Sequence, residues 1–130
     1  MIALASAQPS APAPAIEGYW KNPIGSAVIR VSPCGPQLCG TVVWASERGK
    51  REVAANTSAI IGTRVLTDMK ATSANSWKAN LFIPDDNIHV AAKLQLVGDR
   101  KLKLTGCAIM GLICRSQIWI RFDGPLPKGD

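Results

Sequence analysis

The chain holds one histidine, one tyrosine and two phenylalanines, and charged residues make up only 18% of it. With a single histidine, any Ser/His/Asp or Cys/His arrangement would rest on His89 alone. No G-x-x-x-x-G-K-[ST] loop and no G-x-G-x-x-G occurs, which removes the two common phosphate-cradling motifs. No apolar run approaches the roughly 18 residues that a membrane-spanning helix needs. Acidic residues are scarce, 9 against 15 Lys+Arg, for a net charge of +6. The cations are scattered, however, and the densest group is Arg48, Lys50 and Arg51. That distribution permits attraction to an anionic envelope surface and does not make a nucleic-acid footprint.

What the chain does have is apolar residues, 47% of 130. That content excludes a disordered tail or a coiled coil and suits one domain with its own core. Residues 1–7, M-I-A-L-A-S-A, end in the small-x-small form of a signal-peptidase site and read as the residual end of a secretory signal. Residues 8–15 are a Pro/Ala-rich linker. The folded domain is expected over 16–124, with a flexible tail over 125–130.

The dominant pattern has period two, the signature of half-buried strands. Ile88, Val90, Ala92, Leu94 and Leu96 alternate with the mostly polar His89, Ala91, Lys93 and Gln95. Leu102 and Leu104 repeat the scheme after a Gly98-Asp99-Arg100 turn, predicting a hairpin. Further strands are expected over 18–21, 27–32, 38–45, 59–66, 76–83 and 116–122. Residues 38–45 are apolar on both faces, as in a strand covered on each side. Only 47–58 could hold a helical turn, and Gly49 argues against more than one. Eight consecutive strands with short links predict an all-β, up-and-down antiparallel barrel, since closure removes exposed edges. A β-sandwich is the alternative. The expected inner wall includes Ile29, Val31, Trp77, Leu81, Val90, Leu94, Leu96, Leu102, Leu104, Ile118 and Ile120. Trp77 and Trp44 are candidate cavity walls, each indole offering a flat apolar face and one N–H donor.

Four cysteines fit disulfides in an oxidising compartment. They allow three connectivities, and sequence does not fix one. The local pairs Cys34–Cys39 and Cys107–Cys114 are favoured because each brackets a turn. A four-cysteine zinc site is the rival, although neither C-x4-C nor C-x6-C is the usual knuckle spacing.

Gly18-Tyr19-Trp20 on the first strand, with Arg121 on the last, resembles the opening and closing of lipocalin-like barrels. In those barrels the Trp closes one end and the Arg packs over its indole. Three longer pieces extend the likeness: E-G-Y-W-K, V-S-P-C-G-P-Q-L-C-G-T-V-V-W and G-C-A-I-M-G-L-I-C-R-S-Q-I-W-I-R. Over about residues 17 to 122 the chain resembles the bacterial exported family known as domain of unknown function 2147. The resemblance implies a lipocalin-like β-barrel and export to the periplasm, with no established biochemical activity. The departure is Ile83-Pro84-Asp85-Asp86-Asn87, where the family usually carries a D-P-x-x-G-x-x-Y turn.

His89 with Asp85 and Asp86 is the one constellation suited to metal or acid–base chemistry, and its strand parity places His89 on the polar, solvated face. Asp85-Asp86 reads as turn chemistry. Neither cofactor, metal nor enzymatic chemistry is therefore expected. The leading expectation is a barrel that buries a small hydrophobic or amphipathic ligand against Ile29, Val31, Trp44, Trp77, Leu81, Val90, Leu94, Leu104, Ile118 and Ile120. A second is an envelope interaction module that uses the Arg48–Arg51 basic loop on an anionic surface.

Overall fold

Side chains that alternate along a strand divide into an inner and an outer set once a sheet closes on itself. The computed structural model, which describes residues 15–54, 60–84, 86–108 and 113–126, shows that division. Eight strands form a closed barrel in chain order: β1 Gly18–Lys21, β2 Ala27–Cys34, β3 Gln37–Ala45, β4 Arg64–Ser73, β5 Ser76–Ile83, β6 Ile88–Val97, β7 Lys101–Ala108 and β8 Ile113–Arg121. Each is antiparallel to its neighbour, and β1 pairs with β8 through Trp20↔Arg121 and Lys21↔Ile120. Both local disulfides form, Cys34–Cys39 in the β2–β3 hairpin and Cys107–Cys114 in the β7–β8 hairpin.

Two elements differ from the expectation. A helix, α1, spans Glu47–Val53. Ser46 caps it, its hydroxyl accepting from the Gly49 N–H at 3.0 Å, and Glu47 stands in the positive first turn. Gly49 is required by contact: a Cβ there would lie 2.8 Å from the Ser26 carbonyl oxygen. The residue that seemed to argue against the helix is what lets it lie against the β1–β2 turn. The fourth strand begins at Arg64, later than expected. Ile60 stays in the core from a turn in which Gly62 has φ +96° and the Thr63 N–H bonds to the Ile60 carbonyl. Burial of Ile60 was thus mistaken for strand, and Ala59 lies outside the described residues. The expected signal end and most of the expected linker, 1–14, and the expected tail from 127 on also lie outside them.

The two ends of the barrel are filled differently. At the end where β1 begins, Trp20, Val31, Met69, Trp77, Leu94 and Leu102 are buried and make a packed floor. The Trp20 Nε1 donates to the Ile16 carbonyl at 2.9 Å, so the indole is buried with its polar atom satisfied. Toward the other end the inward positions become small: Ala27, Ala45, Gly106 and Ala108. Small residues cannot fill a lumen of this width, and space remains.

Candidate functional site

The space is a cavity of about 540 Å³ open at the end that carries α1. Its wall includes Ile29, Val42, Val65, Leu81, Val90 and Leu104, and its rim includes Ile24, Val53, Ile83, Ile88 and Ile113. Gly106 keeps one wall clear, because a Cβ there would press on Leu81 and Val90 at 3.3 and 3.4 Å. Polar groups are few. Asn22 and Ser26 satisfy each other at the mouth: Asn22 Oδ1 accepts from the Ser26 N–H at 2.8 Å, and its Nδ2 donates to the Ser26 hydroxyl at 2.9 Å. On β8, Arg115, Gln117 and Trp119 face the cavity, with Trp119 Nε1 donating to Gln117 Oε1 at 3.0 Å.

Of the residues expected to line a ligand site, Ile29, Leu81, Val90 and Leu104 line the cavity. Val31, Trp77 and Leu94 point inward but belong to the packed floor. Trp44 is corrected to the outer face. A bulge at Val43 sets it opposite Val28, which points away from Ile29. Its Nε1 is buried there with no hydrogen-bond partner among the described residues. On β3 the outward Trp44 and the disulfide-bonded Cys39 add to the inward Leu38 and Val42, which makes the strand apolar on both faces.

Ile118 and Ile120 are corrected as well, being 40% and 43% exposed on the outside of β8. Register is the cause: the inward Leu102 and Leu104 lie opposite Trp119 and Gln117. The polar-looking set Arg115, Gln117 and Trp119 is therefore the inner one, and hydropathy alone chose the wrong face. A signal for this was available. Arg121 shares strand parity with Trp119, and an arginine that packs over Trp20 inside the barrel turns Ile118 and Ile120 outward.

At the floor, the Arg121 guanidinium carbon stands 4.3 Å from the centroid of the Trp20 ring. Its nitrogens donate to the carbonyls of Asp99, Glu17 and Ala15 at 2.6, 2.9 and 2.6 Å. The barrel-closure roles expected for Trp20 and Arg121 thus have an explicit geometry. His89 is exposed and its ring lies 4.9 Å from that of Phe82. Asp85 lies outside the described residues, and among those described no group of three or more His, Cys, Asp or Glu could hold a metal ion. The basic cluster sits on α1, where Arg48 pairs with Glu52 at 3.4 Å and Lys50 with Glu47 at 2.9 Å. Those pairs neutralise much of the charge that made the segment a candidate for an anionic partner. No described helix is long and apolar enough to cross a membrane.

The architecture has a counterpart among solved structures. Protein HP1028 from the human pathogen Helicobacter pylori, described as belonging to the lipocalin family, superposes with a TM-score of 0.65 over 83% of each chain. Sequence identity is 12%, so the likeness shows the fold. No curated protein matches the chain. Two disulfides in a bacterial protein point to an extracytoplasmic location. A family model matches residues 18–121, from the glycine that opens β1 to the arginine that closes β8, and the chain belongs to that family, the uncharacterized proteins conserved in bacteria designated DUF2147.

Proposed function

We propose that this protein is a periplasmic binder or carrier that takes a small hydrophobic or amphipathic molecule into the open half of its barrel. It does so by burial, without covalent chemistry. The observation that carries the reading is the cavity of about 540 Å³ with largely aliphatic walls, open at the end that carries α1. That volume lies within the roughly 300–1,000 Å³ of small-molecule sites, and burial of apolar ligand surface supplies the driving force. Arg115 and Gln117, with Asn22, Ser26, Glu52 and Asp86 also among its lining residues, give a mainly apolar chamber polar groups suited to a guest with a polar end.

The test uses N-phenyl-1-naphthylamine, whose emission rises in an apolar site. Saturable binding with quenching of Trp119 is expected. Replacing Leu104 by Trp puts an indole into the chamber and should weaken binding while the barrel still melts cooperatively. Replacing Trp119 by Phe should remove the quenching, whereas Trp77→Phe, in the packed floor, should leave it. Absence of saturable binding, or equal binding by the Leu104→Trp variant, would overturn the reading.

A further inference from the structure

We infer that the outer wall of β4–β8 is a docking face for an anionic phospholipid surface, built from a lysine row and two outward isoleucines. The inference is independent of what the cavity holds. Lys70 lies opposite Lys78 across the β4–β5 ladder, and Lys78 lies opposite Lys93 across the β5–β6 ladder. Three like charges therefore stand side by side on adjacent strands, all exposed. Directly opposed like charges destabilise a sheet, so folding gains nothing from this row. Lys103 and Lys101 continue it on β7, opposite Ile118 and Ile120, and Lys21 meets Ile120 from β1.

The wall contains one carboxylate, Asp68 at the β4 bulge. Strands β5 to β8 contain no aspartate or glutamate at all. Other described acidic groups lie at its margins: Asp86 in the β5–β6 link, Asp99 in the β6–β7 turn, and Asp123, which is paired with Arg100. None of the ion pairs among the described residues involves Lys70, Lys78, Lys93, Lys101 or Lys103. The concentrated positive surface thus belongs to the barrel wall, while Arg48 and Lys50, two of the three cations of α1, are paired within the helix.

Apolar groups share this face. Ile118, Ile120 and Val97 are 40%, 43% and 47% exposed, and Val97 lies opposite Lys101. Aliphatic side chains flanked by lysines match the boundary between headgroups and acyl chains, where isoleucine enters and ammonium groups meet phosphates. A second copy seated face to face would set lysine against lysine and fits less well. Nucleic acid fits less well, because the lysine rows interleave with aliphatic residues and offer no aromatic platform for stacking.

The experiment is co-sedimentation of the whole protein with vesicles of phosphatidylglycerol and phosphatidylcholine in equal parts. Binding is expected to weaken steeply in 0.5 M salt and to be absent from pure phosphatidylcholine. At about 1 kcal/mol per lysine, each neutralisation should weaken binding roughly fivefold, and K78Q/K93Q/K103Q together roughly a hundredfold. I118S/I120S should weaken it while keeping the salt dependence, and R48Q/K50Q/R51Q should leave it nearly unchanged. Acetylation footprinting of the unaltered protein supplies a readout that needs no variant: vesicles should protect Lys78, Lys93 and Lys103 but not Lys50. Equal binding to neutral vesicles, loss of binding through the α1 substitutions, uniform acetylation, or stronger binding to a short DNA duplex than to the vesicles would each overturn the inference.

Discussion

Gly18 and Arg121 fit as a pair: a Cβ on Gly18, whose φ is +129°, would lie 2.8 Å from the Arg121 Nη1. The missing side chain is what lets the guanidinium lie across the Trp20 indole and reach the Glu17 carbonyl. Replacing Arg121 by Ala removes a cation–π contact and three hydrogen bonds to carbonyls. A loss of about 3 kcal/mol is expected, with about half that for Lys, which keeps the charge but not the planar fork. Urea unfolding followed by tryptophan emission measures both. Equal losses for the two variants would show that the fork geometry is immaterial.

Helix α1 is held to the barrel mouth by Gly49 lying on Ser26 and by the Ser46 N–H donating to the Ser26 carbonyl at 2.9 Å. In a free helix, Gly49→Ala would gain up to about 1 kcal/mol. Here the added methyl meets a backbone oxygen that cannot swing aside, and a net loss of about 1 kcal/mol is expected. The same substitution should alter probe binding by displacing Val53 from the rim, whereas an exposed change such as Arg51→Ala should alter neither. Chemical denaturation and probe titration on both variants decide the matter.

Because hairpin links alternate between ends of an up-and-down barrel, the two disulfides stand at opposite ends. Cys34–Cys39 lies by the floor and Cys107–Cys114 by the mouth, next to Ala108 and Ile113 on the rim. Each closes a short loop, so Ser replacement of a pair should cost about 2 to 2.5 kcal/mol, additively. Far-UV circular dichroism should remain that of the barrel. Only C107S/C114S should change the affinity for an apolar probe, and an equal change in C34S/C39S would contradict the placement.

Strand number, order and closure were legible from alternation, turn residues and the Gly18–Trp20–Arg121 pattern. The inner faces of β2, β5, β6 and β7 were legible as well, because there the apolar side is also the inward side. On β8 the rule failed, since its inner residues border an open chamber and a stacked arginine, while its outer ones include Ile118 and Ile120. Trp44 was misplaced because a bulge reverses parity, and one inserted residue leaves no mark on hydropathy. The helix was legible only as a possible turn within 47–58, because seven residues with a glycine at the third carry little periodic signal. The lysine wall could not be seen because its members are far apart along the chain and meet only through register.

The shortness of the seam between the first and last strands has a consequence for how the chain comes into being. Only two residue pairs join β1 to β8, and the bonds that lock them reach across 104 and 106 positions of sequence. Until the final segment has left the ribosome there is no vessel at all, only a ribbon with two unsatisfied borders. A message cut short before Arg121 would therefore yield a sticky sheet prone to joining its neighbours, and not a leaky cup.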